Sequence, residues 1–140
     1  MKQAMTRLSI AGRGRGLQEI TPALADWVNG SGIREGLLTA FIPHTSATLL
    51  INENADSDVA RDLEDFFVRV APEGGGYRHE NEGPDDMPAH IKSALTQNAI
   101  SIPVARGMPF FGTWQGLYLF EHRARPHRRT IVLHLIGENA

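Results

Sequence analysis

Gly112-Thr113-Trp114-Gln115-Gly116-Leu117-Tyr118-Leu119-Phe120-Glu121 holds the reading that decides the fold. Leu117 to Phe120 are apolar at every position, so both faces of the pleat are apolar whichever way it falls. A strand of that kind is covered on both sides and lies centrally in a sheet. Downstream, Thr130 to Ile136 reads as another strand. Upstream, Ala99 to Val104, Gly36 to Ile42 and Ser46 to Ile51 read the same way, the last two joined near Pro43. Thr6 to Ile10 alternates as a half-buried strand. Helix signals fall between them. Thr21 as N-cap, Pro22 and a closing Gly30 bracket the stripe Leu24, Trp27 and Val28. Val59, Leu63, Phe66, Phe67 and Val70 recur at helical spacing over 55–70, with Asp58, Arg61, Asp62, Glu64 and Asp65 opposite. A third helix is capped by Asp85 or Asp86, carries Pro88 in its first turn and ends near Asn98. Strands outnumber helices and short turns join them. The expectation is one α+β domain over 1–140, a mostly antiparallel sheet with about three helices.

Composition narrows the function. The chain has 140 residues, no cysteine and a net charge of −2. Its length allows a core without disulfides, and the missing thiols exclude Cys-ligated zinc and thiol catalysis. An acidic balance argues against a nucleic-acid protein. No apolar run approaches the roughly 18 residues that span a bilayer, and no secretory signal follows the N-terminus, so a cytoplasmic protein with no membrane partner is expected.

Three histidines lie in separate polar settings: His44 in Pro43-His44-Thr45-Ser46-Ala47, His79 in Tyr77-Arg78-His79-Glu80, and His90 in Asp85-Asp86-Met87-Pro88-Ala89-His90. Neutral imidazole is the commonest protein metal ligand, and three histidines with an open fourth position make a catalytic rather than a structural zinc site. His90, placed in the first helical turn, meets a positive helix end that favours its neutral form. The irregular stretch 71–86, with three consecutive glycines, is long enough to be functional. Its acids either support the histidines or form a solvated loop that caps the helix. On the strand after His44, the face carrying His44, Ser46, Thr48 and Asn52 lines a pocket or faces solvent at a sheet edge. Thr113 and Gln115 share one side of their strand entrance and either bind a ligand or belong to a turn with Trp114 in the core. Two arginine-rich turns, Gly12-Arg13-Gly14-Arg15-Gly16 and His122 to Arg129, suit phosphate but read better as solvated basic turns. His134, between Val132 and Ile136, reads as structural.

His44-Thr45-Ser46-Ala47, Asn52-Glu53-Asn54, His79, Gly83, Asp85 to His90, Gly112-Thr113-Trp114-Gln115-Gly116 and Glu121-His122-Arg123 occur in one order that resembles the YjbQ family, over roughly Leu8 to Glu138. Members are often labelled secondary thiamine-phosphate synthase. The resemblance implies an α+β subunit in a homotrimer, with sites near subunit boundaries and a divalent metal, often zinc, held by His44, His79 and His90; magnesium would suit a diphosphate substrate. It further implies His44, Asp85, Asp86 and Glu53 as catalytic groups and Ser46, Thr113, Trp114, Gln115, Arg123 and Arg129 as the substrate pocket. Much of the family reads Asp-Asn-Ala-Asp-Ala-His where this chain has Asp85 to His90, so Asp86 puts a carboxylate in place of an amide.

The expected activity is thiamine-phosphate synthesis: hydroxymethylpyrimidine diphosphate joins a thiazole phosphate and pyrophosphate leaves. Two alternatives use the same pocket, a zinc-dependent hydrolase of a small metabolite and a non-catalytic trimeric protein that captures an anionic metabolite.

Overall fold

The apolar run at Leu117 becomes the middle of a small sheet. In the structure, a computed structural model that describes residues 1–139, strand β7 (Gln115–Glu121) pairs antiparallel with β2 (Gly16–Glu19) and β4 (Ala47–Glu53). A second sheet holds β1 (Lys2–Ala11), β8 (Arg128–Glu138), β3 (Glu35–Phe41), β5 (Ala99–Ala105) and β6 (Met108–Pro109), in that spatial order. Its pairings are antiparallel as well. Helices α1 (Thr21–Gly30), α2 (Ser57–Val70) and α3 (Asp86–Leu95) complete the α+β domain. No described helix is long and apolar enough to cross a membrane.

Period-2 alternation builds the core. Ile131, Leu133 and Leu135 of β8, Leu38 and Ala40 of β3, and Ile100, Ile102 and Val104 of β5 turn one way. They meet Ala47, Leu49, Leu117 and Leu119 of the small sheet, with Leu24 and Val28 of α1. The other face of the small sheet is covered too. Phe67 of α2 stacks edge-on against Phe120 at 5.2 Å, and Thr96 just past α3 bonds Thr48 of β4. Double coverage is what the unbroken apolar run required.

Several local expectations shift. The strands on either side of Pro43 do not pair with each other; β3 joins the large sheet and β4 the small one. Strands β2 and β6 were not read from the sequence, because four and two residues are too short to show a period. Thr21 lies inside α1 rather than capping it; its hydroxyl donates to Glu19 and accepts Leu117 N–H instead. Asp56 caps α2 through Asp58 N–H. Helix α3 stops at Leu95, short of Asn98, where the Thr96 backbone turns extended and its hydroxyl bonds Lys92 O. Thr48 lines no pocket: it is 1% exposed and joins Thr96 to His122.

Candidate functional site

Helix α3 organises the site. Asp86 and His90 are four residues apart, which places them on one helix face. His90 sits in the second turn rather than the first, so its partner is the Asp86 carboxylate and not the helix end. Asp86 Oδ2 lies 3.2 Å from His90 Nε2 and 2.6 Å from His79 Nε2, the latter reaching in from the loop before α3. The two rings stand edge to face with centroids 5.4 Å apart. One ligand atom from each of the three residues falls within 4.8 Å of the others. Both histidines are partly open to solvent while Asp86 is 3% exposed.

Arg123 clamps the base of this cluster. Its Nη1 donates to Asp86 Oδ1 at 2.8 Å, its Nε to Asp85 Oδ2 at 3.0 Å and its Nη2 to Glu82 O at 3.1 Å. Asp85 also accepts the Ala124 N–H, so its carboxylate ties α3 to the end of β7 instead of capping its own helix. Burial alone would raise both aspartates. The donors to Asp85 from Ala124 and Arg123, and those to Asp86 from His79 together with the charges of His90 and Arg123, outweigh it and hold both below the usual carboxylate range.

Of the three histidines expected to share a metal, two come together and Asp86 is the third member. His44 lies elsewhere. Its Nε2 accepts the Thr130 backbone N–H at 3.0 Å, which leaves the ring proton on Nδ1 and no free lone pair on either nitrogen. Burial and the Arg129 charge lower its pKa, which keeps that neutral form. Beside it, Arg129 and Glu121 form a buried fork, Nε to Oε1 at 2.7 Å and Nη2 to Oε2 at 2.5 Å, and Arg129 also holds Ser46 through its carbonyl and its hydroxyl. Glu121 Oε2 accepts the backbone N–H groups of His122 and Arg123. Hydrogen bonds therefore run unbroken from Ser46 through Arg129 and Glu121 to Arg123 and Asp86.

The remaining expected pocket residues sit at the other end of the small sheet. Ala47 pairs with Glu121 and Glu53 pairs with Gln115. Six residues of strand at about 3.3 Å each separate the two ends by about 20 Å. Thr113 and Gln115 are exposed and Trp114 is 63% exposed rather than in the core; Gln115 borders an open depression between β4 and the end of α3, with Asn52 and Thr96. Gln115 Oε1 accepts Gly112 N–H and Glu53 accepts Asp56 N–H.

Sequence reasoning missed three buried polar residues near the cluster. Glu121 has a readable signal: it continues the inward parity of Leu117 and Leu119, and a buried acid at such a position needs a cationic partner. His122 donates to Thr48 from Nε2 and is pushed down to about 3 by burial and by the charges of Lys92 and Arg129. Lys92, 4% exposed on α3, had no readable signal beyond its helical position.

The family described as UPF0047 protein YjbQ-like matches residues 6–138. A UPF0047 protein of Synechocystis is 49% identical over 98% of this chain and 94% of its own length. The UPF0047 protein YjbQ of Escherichia coli O157:H7 is 42% identical over 94% and 96% of the two chains. A crystal structure of an uncharacterised conserved protein of the same family from Clostridium acetobutylicum superposes with a TM-score of 0.86 at 35% identity, covering 94% of this chain and 99% of that one. With nearly every residue inside the match, the chain belongs to the YjbQ-like UPF0047 family.

Proposed function

We propose that the protein is a metal-dependent enzyme acting on a small phosphorylated substrate, with thiamine-phosphate synthase-like transfer as the named candidate. The observation that carries the reading is the convergence of His79, Asp86 and His90 on one point at the protein surface. Two imidazoles and a carboxylate suit zinc or a similar divalent ion better than magnesium, which favours all-oxygen ligands. When bound there, such an ion would supply a Lewis acid for a phosphoryl oxygen. The chain's own groups do the rest. Arg123 fixes the carboxylate that orients both rings, and the Nδ1–H of His44 is a neutral donor on the Ser46 side of the same hydrogen-bonded chain.

The ligand set also fits a zinc-dependent hydrolase, since two histidines and one carboxylate recur in that class. A homotrimer is part of the proposal. Met5, Leu37, Phe41 and Ile136 lie exposed on the outward face of the large sheet, on β1, β3 and β8, with Leu37 opposite Ile136. An assembly of copies is also the only way that Thr113 and Gln115 could act beside the metal cluster, given the 20 Å or so between the ends of the small sheet.

The test pairs metal content by mass spectrometry with turnover. One ion per chain in the native protein, lost in His79→Ala/His90→Ala, followed by metal-dependent thiamine-phosphate formation, is the expected result. Metal without that activity but with hydrolysis of phosphate esters would select the hydrolase. Absence of metal after loading with zinc would remove both.

A further inference from the structure

The chain between α2 and α3 is lightly held. No residue from Pro72 to Asp85 is buried. The ends of the segment are tied down: Arg15 pairs with Glu73, and Arg123 holds the Glu82 carbonyl beside Gly83. The Tyr77 hydroxyl donates to Pro72 O at 2.9 Å, a bond within the segment itself. Over 77–81, His79 is the single residue, among the described residues, with a hydrogen bond or ion pair to a group outside the segment. That contact reaches Asp86 Oδ2, in the metal cluster. A stretch with no buried apolar side chain and so few bonds lies at the low-stability end of a fold. Gly76 and Gly83, at φ 75° and 101°, flank it, and glycine absorbs the backbone change that a hinge needs.

The same stretch builds a cavity. A space of about 570 Å³ opens beside the cluster, within the range of small-molecule sites. Nine of its ten lining residues belong to 74–84, His79 and Tyr77 included, and Met87 of α3 is the tenth. If 77–82 lifts, the cavity and one ligand of the cluster leave together.

We infer that residues 77–82 form a lid beside the metal cluster, hinged at Gly76 and Gly83 and latched by His79. Without metal, the latch is the His79–Asp86 hydrogen bond. An ion held by His79, Asp86 and His90 would add a second tie, because only the closed lid offers all three ligands, and binding to one form alone stabilises that form. The cavity beside Met87 then exists only while the lid is shut. The ion's part in this rests on the proposed function; the latch does not.

The experiment is limited trypsin digestion of the native protein, with cleavage after Arg78 followed by mass spectrometry and scaled to the same bond in a free 73–84 peptide. Arg78 is exposed and adjoins the latch, and cutting that is slow relative to lid motion reports the open population. In chelator-treated protein, His79→Ala should speed this cut about tenfold or more, the worth of one charge-assisted hydrogen bond. Cuts after Arg34 and Arg106, exposed elsewhere in the chain, should keep their rates. Added zinc should slow the Arg78 cut about tenfold or more in the native protein, the stabilisation expected at a free zinc concentration tenfold above Kd. It should not do so in His90→Ala, which keeps the latch and loses a ligand. Equal rates in metal-free native and His79→Ala proteins, or no cut in either, overturn the latch. Zinc that binds without slowing the cut overturns the coupling. Zinc that does not bind removes the metal reading instead, and the metal-free comparison alone then decides the lid.

Discussion

Breaking the Glu121–Arg129 fork one side at a time tests the account of how the site end of β7 is held. Both side chains are almost fully buried, at 1% and 5% exposure, and bridge the small sheet to the large one. Removing one partner of a buried pair strands the other and costs about 3–5 kcal/mol. The two halves should not cost the same. Arg129→Met leaves a carboxylate that keeps the His122 and Arg123 backbone donors, so its cost falls near 3 kcal/mol on that scale. Glu121→Ala leaves a guanidinium with only the Ser46 carbonyl and hydroxyl, and its cost falls near 5 kcal/mol. The double variant Glu121→Leu/Arg129→Met strands nothing and should cost clearly less than the sum. Urea unfolding at one fixed protein concentration reads all three, since association shifts apparent stability. Single variants costing under about 1 kcal/mol, the worth of an exposed pair, would refute the burial argument. An additive double variant would refute the coupling.

Four further outcomes follow from the same geometry. Asp86→Ala should lower zinc affinity about tenfold or more, because it removes a ligand and the group that orients both rings; unchanged affinity in a metal-competition titration would remove Asp86 from the site. His122 is held neutral in the fold, with a pKa of about 3 against an ordinary 6.5, so the unfolded chain takes up a proton first as pH falls. Stability is then fully present above pH 6.5 and declines toward pH 3 by on the order of 5 kcal/mol; His122→Gln should flatten that slope in urea titrations, and an unaltered slope would contradict it. Asp85 and Asp86 work the same way lower down: their stabilisation is present above about 3.8 and is lost as pH falls through their depressed values, so Asp85→Asn should soften the acid limb of the same curve. Trp114, 63% exposed in one chain, should be shielded from acrylamide in a trimer that covers its turn, and free quenching in the native assembly would place that turn outside any interface.

What the sequence showed, and what it hid, divides by range. Local periodicity was enough to place β7, β8 and α2 as elements, although α2 buries no residue fully and Phe66 and Val70 of its expected stripe stay exposed. The doubly apolar run at Leu117–Phe120 even foretold coverage from two sides. Sheet membership was not legible, because β3 and β4 have similar local patterns and only distant partners, His134 opposite Thr39 and Leu119 opposite Leu49, send them to different sheets. The site behaves likewise. Asp86 and His90 could be paired from spacing alone, but bringing in His79 needs the path of the 71–85 loop, and separating His44 needs the Thr130 N–H of a strand 86 residues away. The arginines reverse most fully. Chemistry assigned phosphate to Arg123 and Arg129, yet each meets a carboxylate placed by another element, Asp85 and Asp86 on α3 for one and Glu121 on β7 for the other. A charged side chain is free for a ligand only when the fold has left it no partner. That property belongs to contacts between elements, and so nothing local could tell Arg13, left without a carboxylate, from Arg15 two residues on, which meets Glu73.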